Sequence, residues 1–302
     1  MLKPLVQSRE ATLCKQLYYV IFNDELIMKK LFVVGTGPGA SELVAPKAIE
    51  AIKASTDLVA YGLYLDLLGS VCDNKQHHDL PLGEEIGRAR LALDLAANGK
   101  TTALISSGDI GIYAMATLVF ELLDQQLLGN EAHPEWLDVD IEVIPGISAM
   151  QAGASRVGAM LGHDFCTVSL SNLLTPWETI EKRIHSAGQG DFVISFYNPV
   201  SKKRDWQLNT ARDILLQYRP ASTPVMIGRQ LTREDEAITI TTLDKLDAKD
   251  VDMFTMVSVG NSESKHIINN QNKKEWVYTP RGYKKKLGVA APENVKTEEV
   301  SV

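Results

Sequence analysis

Short apolar runs alternate with amphipathic stretches over the first half of the chain. The runs predict buried strands at residues 31–34, 58–61, 102–105 and 140–144, and helices at 42–53, 84–98 and 113–123. In the second helix, Ile86, Ala89, Leu93 and Ala96 recur at three- and four-residue steps, and Gly99 suits a C-terminal cap. The alternation predicts a mostly parallel sheet covered by helices, and a loop at residues 72–81.

The pattern changes in the second half. Residues 166–170, 191–197, 224–228, 237–241 and 255–259 are rich in Val, Ile, Thr and Phe and predict strands, with helices near 177–187 and 206–218. The Gly- and Ala-rich residues 146–162 suggest a domain boundary. The predicted organisation is an extension (1–30), an N-terminal α/β domain (31–146), a C-terminal α/β domain (147–268) and a polar tail (269–302) whose end has a disordered composition.

Two glycine turns follow predicted strands directly. Gly-Thr-Gly-Pro-Gly stands at residues 35–39, and Ser-Ser-Gly-Asp stands at residues 106–109. Ligands of open α/β sheets bind at the carboxyl ends of the strands, where glycine lets backbone approach them closely. The two turns therefore predict two glycine-lined walls of one binding cleft.

The first turn only partly matches a dinucleotide fingerprint. Pro38 removes an N–H and disfavours a helical Gly37, so the next helix begins later than that fingerprint requires. Asp57 precedes the second strand, whereas a ribose-binding acid would follow it. No Gly-Lys-Ser/Thr follows, which excludes a P-loop. A structural turn without a ligand is the alternative for this motif alone.

Composition narrows the function classes. A net charge of −7 gives no electrostatic footprint for nucleic acid, and no apolar run has the length of a membrane span. Cys14, Cys72 and Cys166 are odd in number and scattered, which fits a reducing cytoplasm. The six histidines form no cluster with metal-ligand spacing, so no metal site is expected.

The motifs together resemble the tetrapyrrole methylase family. Those that carry the resemblance are the turns at 35–39 and 106–113 and Pro-Gly-Ile-Ser-Ala at 145–149. Tyr-Gly-Leu-Tyr at 61–64, the helix from Trp177, Tyr-Asn-Pro-Val-Ser-Lys-Lys-Arg at 197–204 and Trp-Gln-Leu at 206–208 are similar to the branch that acts on C17 of precorrin-3B. The resemblance spans residues 31–268, and the 197–204 stretch is its most specific part.

The resemblance implies two α/β domains with a cofactor cleft between them, a homodimer, and transfer of a methyl group from S-adenosylmethionine. The substrate would be precorrin-3B or cobalt-factor III, methylated at C17 with contraction of the ring in cobalamin biosynthesis. Methyl transfer from a sulfonium chiefly requires positioning, which suits a signature made of glycine turns. The implied cofactor-binding residues are Pro38, Ser107, Gly108, Asp109, Ile112, Ser148, Ala149, Tyr197, Asn198, Met226 and Gly228.

Asp109 allows two interpretations. It could attract the sulfonium or the ammonium group of the cofactor, or it could be a turn residue that caps the following helix.

The substrate and the rearrangement call for further side chains. Acetate and propionate carboxylates are matched by cations, with Lys202, Lys203, Arg204 and Arg229 as the main candidates and Arg88, Arg90 and Arg233 as others. Arg88 and Arg90 could equally lie on a solvated helix face. Ring contraction needs proton transfer, for which the candidates are His77, His78, Asp79 and Tyr64, expected on or near loops at the carboxyl edge of the sheet.

One departure from the family pattern stands in the second turn, where Ile110 replaces the usual proline and a fixed φ is lost. Two alternatives stay open. One is a methylase that acts at another ring carbon, and the other is a non-catalytic cofactor-binding module of the pathway.

Overall fold

The computed structural model describes residues 29–124, 133–202, 204–283 and 286. These residues divide into two compact units. Unit 1 holds residues 29–37 and 41–146, and unit 2 holds Pro38–Ala40 and the residues from Ile147 onward. The chain thus passes from one unit to the other after Gly37, after Ala40 and after Gly146.

Unit 1 is built on a parallel sheet of five strands. These are β1 (Lys30–Gly35), β2 (Asp57–Ala60), β3 (Gln76–Asp79), β4 (Thr101–Ser106) and β5 (Asp140–Ile144), in the order β3-β2-β4-β1-β5. All four pairings are parallel. The carboxyl ends of the strands therefore share one edge, and the glycine turns after β1 and β4 lie on it.

Helices cover both faces of this sheet. They are α1 (Pro46–Ala54), α2 (Gly62–Leu68), α3 (Glu85–Ala97) and α4 (Met115–Leu123), with 3-10 turns at Ser41–Leu43, Gly69–Cys72 and Pro134–Asp138. In β1, Leu31 and Val33 pack with α3 and α4, whereas Val34 packs with α1 and α2. Burial on both faces explains why these strands are continuous apolar runs.

Unit 2 is a mixed α/β structure. It contains α5 (Ala149–Val157), β6 (Gly158–Ala159), β7 (Phe165–Ser169), α6 (Trp177–Gln189), β8 (Val193–Tyr197), α7 (Gln207–Leu215), β9 (Pro224–Arg229), β10 (Ala237–Thr242), β11 (Thr255–Val259), β12 (Lys265–Ile268) and β13 (Glu275–Tyr278), with 3-10 turns at Leu243–Lys245 and Ala248–Asp250. One sheet has the order β10-β9-β11-β8-β7, and a smaller sheet has the order β12-β13-β6.

The direction of the unit 2 strands decides which ends meet. β7 and β8 are parallel, and β11 is antiparallel to both β8 and β9. β9 therefore runs in the same direction as β7 and β8, and Ser169, Tyr197 and Gly228 lie towards the same edge. α6 and α7 cover one face of the sheet, and α5 covers the other.

Several elements differ from the sequence predictions. Residues 76–79 form the edge strand β3 rather than a loop. The sequence did not predict this strand because Gln-His-His-Asp has no apolar alternation. The helix predicted at 42–53 begins only at Pro46, after a 3-10 turn, because proline suits the first helical turn. β13 lies inside the predicted polar tail and carries the fully buried Val277. Residues 293–302 lie outside the described residues.

Candidate functional site

The two glycine turns of unit 1 are bonded to each other through their backbones. Gly37 N–H donates to the Gly108 carbonyl at 3.1 Å, and Gly108 N–H donates to the Gly37 carbonyl at 2.6 Å. The Ser107 hydroxyl donates to the same Gly37 oxygen at 3.3 Å. The ends of β1 and β4 are thereby joined into one rigid rim at the carboxyl edge.

Close packing beneath this rim requires glycine at two positions. A Cβ on Gly35 would lie 2.8 Å from the Gly108 carbonyl oxygen, and a Cβ on Gly146 would overlap that oxygen. Contacts this short with backbone atoms cannot relax through side-chain movement. The residues that follow β1, β4 and β5 are therefore packed at backbone distance.

Gly108 itself faces open space. Its φ of +73° is one that glycine adopts readily, and a Cβ built on it would have no atom within 4 Å. The half-buried Ile112 closes the same turn, with its N–H donating to the Asp109 carbonyl at 3.3 Å. The rim thus offers an open backbone surface of the kind that a flat or extended ligand can approach.

Asp109 holds the turn in place. Its Oδ1 accepts from Gly111 N–H at 2.8 Å, and its Oδ2 accepts from Gly146 N–H at 3.1 Å. One carboxylate therefore fixes the turn after β4 and ties it to the end of β5. This is a positioning role, and it differs from a helix cap because α4 begins only at Met115.

In unit 2, Ser148 and Ala149 stand at the start of α5. Gln151 Oε1 accepts from Ser148 N–H at 3.0 Å in a capping box. The buried Ser148 hydroxyl is hydrogen-bonded to the Tyr197 hydroxyl at the end of β8. α5 was not predicted, because its glycines and alanines hid the helical pattern, although Ser-x-x-Gln at 148–151 is the signal that could have found it.

Asn198 lies directly after β8 in a left-handed conformation, with φ of +50°. Its Nδ2 donates to Ser169 Oγ at 3.0 Å, which joins the carboxyl ends of β7 and β8. Arg204 Nη1 donates to the Asn198 carbonyl at 2.7 Å and to the Leu170 carbonyl at 3.1 Å. Ser169 is a site residue that sequence reasoning missed, because a serine at a strand end carries no distinctive signal.

Met226 and Gly228 of β9 lie on the face covered by α5. Met226 is fully buried, and its methyl group fills the space where Gly153 has no side chain. At Gly228, a Cβ would lie 2.8 Å from Leu231. Because its side chain is enclosed by the core of unit 2, Met226 can reach a ligand only through movement or through its backbone.

Pro38 packs with the loop after β9. Arg233 Nε donates to the Pro38 carbonyl at 3.1 Å, and Ala40 N–H donates to the Thr232 hydroxyl at 3.1 Å. Glu236 in turn accepts from Thr232 N–H and pairs with Arg156 at 2.9 Å. Pro38 is thus held by a hydrogen-bonded network of unit 2.

The candidate substrate cations differ in accessibility. Lys202 is exposed. Arg204 is buried, and burial lowers the pKa of its guanidinium. Arg229 is half exposed and donates to Asp252 at 2.8 Å; burial raises the pKa of Asp252, but hydrogen bonds from Thr255, Phe254 N–H and Arg229 outweigh it and lower that pKa.

Lys203 lies outside the described residues. Arg204 was expected to bind a substrate carboxylate. It is instead buried and donates to the carbonyls of Leu170, after β7, and Asn198, after β8, so it supports both of these loops.

Arg88 also differs from expectation. It was a candidate for binding substrate carboxylates, with a solvated helix face as the alternative, but it is buried. It donates to the carbonyls of Leu80 and Pro81 at 2.9 and 2.7 Å and pairs with Glu85 at 2.8 Å. Arg88 therefore anchors the loop between β3 and α3, whereas Arg90 is half-buried on the same helix.

Three comparisons place this geometry among known proteins. Residues 30–247 match the family of Tetrapyrrole (Corrin/Porphyrin) Methylases. The chain belongs to the tetrapyrrole methylase family.

Two curated relatives match most of this methylase. It is 41% identical over 260 residues to a precorrin-3B C(17)-methyltransferase of Sinorhizobium sp., covering 84% of this chain and 96% of the relative. It is 43% identical over 253 residues to a probable cobalt-factor III C(17)-methyltransferase of Salmonella typhimurium strain LT2, covering 84% and 99%. The crystal structure of the methyltransferase CobJ is 37% identical and superposes with a TM-score of 0.75 over 83% of this chain and 99% of CobJ.

The candidate acids and bases of this tetrapyrrole methylase lie on elements, not on a loop. His78 Nε2 is 2.9 Å from Asp57 Oδ1, at the amino end of β2, and His77 Nε2 is 2.9 Å from the Cys72 carbonyl. The prediction of a loop at residues 72–81 is therefore wrong at both histidines, because β3 carries them, and both rings have partners within the unit.

Asp79 and Tyr64 lie closer to the carboxyl edge. Asp79 ends β3 and accepts from Gly62 N–H at 2.7 Å, and Tyr64 stands in the first turn of α2, directly after β2. The Tyr61 and Tyr64 rings meet edge to face with centroids 5.5 Å apart.

Unit 2 contains a cavity of about 350 Å³. Its lining includes Phe165 at the start of β7, Phe192 before β8, and Arg281. It therefore opens at the amino ends of these strands, opposite Ser169 and Tyr197. Among the described residues, no three His, Cys, Asp or Glu side chains are grouped to hold a metal ion, and no helix has the length and apolarity to cross a membrane.

Proposed function

We propose that this chain is an S-adenosylmethionine-dependent C-methyltransferase of cobalamin biosynthesis that acts at C17 of precorrin-3B or of cobalt-factor III. Two relatives with these substrates in their names are 41% and 43% identical over nearly their whole length. The observation that carries the proposal is the Gly37–Gly108 rim, which presents open backbone at the strand ends where α/β proteins bind ligands.

The residues present fit the proposed cofactor. In unit 1, Gly108 leaves the space of a side chain open at the rim, and Asp109 fixes the turn that carries it. Unit 2 has two hydroxyl groups and one amide group at the start of α5 and the end of β8, which belong to Ser148, Tyr197 and Asn198. S-adenosylmethionine would supply a methyl group on a sulfonium leaving group.

The remaining implied residues take different parts in this proposal. Ser107 and Ile112 of unit 1 and Pro38, Ala149 and Gly228 of unit 2 would line the cofactor, while Met226 would support the residues of unit 2 from the core of that unit.

The chain contributes positioning rather than covalent chemistry. The rim is held by hydrogen bonds between backbone groups. Because the rim is already ordered, the protein loses little conformational entropy when a ligand binds against it. For the substrate, Lys202 and Arg229 are the exposed cations that would bind carboxylates, with Lys203 as a further candidate. Arg204 would support the loop that carries Lys202.

For the ring contraction that this reaction implies, we propose Tyr64 or Asp79 as the proton-transfer group. Both lie at the carboxyl edge of unit 1, where the rim lies, whereas His78 is engaged with Asp57 at the amino end of β2. A group that moves a proton must reach the substrate within hydrogen-bond distance.

The deciding experiment is turnover with each macrocycle. The pure protein is incubated with S-adenosylmethionine and precorrin-3B, and separately with cobalt-factor III, and the products are followed by mass and absorption spectra. We expect a gain of one methyl group and the spectrum of a contracted ring with one of the two substrates. Cofactor binding without turnover on either substrate would contradict the proposal and favour another methylase or a non-catalytic module.

The same assay tests the proton-transfer group. The double substitution of His77 and His78 by alanine should leave ring contraction intact, whereas Tyr64→Phe or Asp79→Asn should block it. Loss of contraction in the histidine variant alone would restore the histidines as candidates.

A further inference from the structure

Two leucines in the loop between β7 and α6 are almost fully exposed. Leu173 and Leu174 are 87% and 98% accessible, although Leu170, at the start of the same loop, is fully buried. Apolar side chains left in water at adjacent positions mark a surface that another molecule covers.

The loop is held from both ends by the neighbouring loop after β8. Arg204 donates to the carbonyls of Leu170 and Asn198, and Asn198 donates to Ser169. At the other end, the rings of Trp177 and Trp206 meet edge to face with centroids 4.7 Å apart. Both ends of the loop that carries the leucines are therefore fixed by contacts with the loop after β8.

Trp206, on the neighbouring loop, is a third exposed apolar side chain. It is 47% exposed and contacts Trp177, which follows Leu174 by three residues. We call Leu173, Leu174 and Trp206 the apolar platform.

The loops that carry the platform begin at the candidate site of unit 2, at the carboxyl ends of β7 and β8. Tyr197 ends β8, and Asn198, which follows it, donates to Ser169 at the end of β7 and accepts from Arg204. The exposed Lys202 lies in the tight turn that Ser201 and Arg204 close through two backbone hydrogen bonds. An apolar surface beside a cation suits a ligand with a flat apolar face and carboxylates at its rim.

We propose that the apolar platform binds the ring face of the tetrapyrrole substrate while Lys202 meets one of its carboxylates; this rests on the proposed function. The size of the platform favours a macrocycle over a second copy of the chain. A stable protein interface buries at least about 1,000 Å² in total. Here polar residues flank the leucines on both sides, Asn172 before them and Thr175 after them, and the platform as defined consists of three apolar side chains.

The test measures tetrapyrrole binding apart from turnover. Uroporphyrin III, an octacarboxylate macrocycle, is titrated into the full-length protein, and quenching of tryptophan fluorescence gives its Kd. The variants are Leu173→Ala, Leu174→Ala and the double substitution. Leu137→Ala is the matched control, because Leu137 is 64% exposed in unit 1 and has no part in the platform.

We expect the double variant to weaken uroporphyrin III binding by roughly tenfold or more, with the KM for the methylated substrate raised by a similar factor and kcat changed little. S-adenosylhomocysteine affinity and the light-scattering mass should stay those of the wild type, and Leu137→Ala should change none of these values. Truncation of exposed side chains leaves the fold intact, so a loss of binding reports on the platform.

Three results would overturn the platform. They are a wild-type chain that binds no uroporphyrin III, a double variant that binds it as tightly as the wild type, and a double variant with a smaller light-scattering mass, which would make the surface an interface between copies. Failure of the proposed function is a separate outcome. A wild-type chain that methylates neither macrocycle, yet binds uroporphyrin III through the leucines, would keep the platform and require another reaction.

Discussion

At the scale of single residues, glycine positions decide the candidate site for two different reasons. Gly35 and Gly146 are fixed by packing, because a Cβ at either would press on backbone atoms of the turn after β4. Gly108 is fixed by its φ of +73° but has open space where a side chain would stand. The sequence predicted that these glycines matter, but the distinction between packed and open positions requires coordinates.

Substitution of Gly108 by alanine tests the open face. Alanine at a positive φ costs about 1–2 kcal/mol of stability, and its methyl group would project into the proposed cofactor surface. We expect S-adenosylhomocysteine affinity, measured by calorimetry, to fall at least about tenfold, more than the loss of stability alone would produce.

Gly83→Ala is the matched control for that experiment. Gly83 also has a positive φ, +93°, and a Cβ there would meet no atom within 4 Å. It should show a comparable loss of stability with unchanged affinity. Equal affinities in the two variants would mean that the cofactor does not approach Gly108.

Several polar site residues act as positioning groups, which sequence reasoning could not distinguish from ligand-binding groups. Asp109 accepts from two backbone N–H groups, and Arg204 donates to two backbone carbonyls. Both were candidates for contact with charged ligand groups. A charged residue in a motif indicates that a charge or a hydrogen bond is needed there. Whether it binds a ligand or the protein's own backbone depends on which backbone groups the fold brings within its reach.

At the scale of elements, apolar periodicity located the buried strands within one or two residues and missed those without it. β5 and β11 have the predicted bounds, whereas β3 has a polar sequence because it lies at the sheet edge. α5 is built from small residues that let β9 approach closely, with Met226 against Gly153. Patterns detect elements that bury a series of large side chains, whereas β3 buries none and three of the five buried residues of α5 are alanine or glycine.

β3 is attached to β2 by a side-chain pair as well as by its backbone. His78 contacts Asp57, whose carboxylate also accepts from Thr56 at 2.7 Å. Burial raises the pKa of Asp57, but the hydrogen bonds from His78 and Thr56 outweigh it and leave that pKa below its ordinary value. A carboxyl with a lowered folded-state pKa stabilises the fold above its unfolded pKa of about 3.9, and this contribution disappears as the pH falls through the folded value.

Asp57→Asn should therefore destabilise the protein by about 1–3 kcal/mol at pH 7, and its difference from the wild type should shrink as the pH falls below about 4. Urea denaturation at a series of pH values measures this difference. Asp73→Asn, at an exposed position near the same strand, is the control and should stay close to the wild type throughout. A difference that is constant with pH would show that packing, not ionisation, makes Asp57 stabilising.

At the scale of the whole molecule, the chain order of the motifs carried more information than any one of them. The turns at residues 35–37 and 106–109 and Gly146 stand at the ends of β1, β4 and β5 in unit 1, and Ser148 stands at the start of α5 in unit 2. One part of the division into units is not visible in local patterns, because Pro38–Ala40 belongs to unit 2 although the residues on either side belong to unit 1. Only tertiary contacts, such as Arg233 with Pro38, make that assignment.

The extension before β1 gives the last prediction. β1 begins at Lys30, which pairs with Asp140 and Glu142 at 2.8 and 3.2 Å, and the family match begins at the same residue. A chain that starts at Met28 retains each of these contacts. It should therefore unfold at a urea midpoint close to that of the full chain and bind S-adenosylhomocysteine with the same affinity. Aggregation of the shortened chain under conditions in which the full chain stays soluble would show that the first 27 residues contribute to the fold.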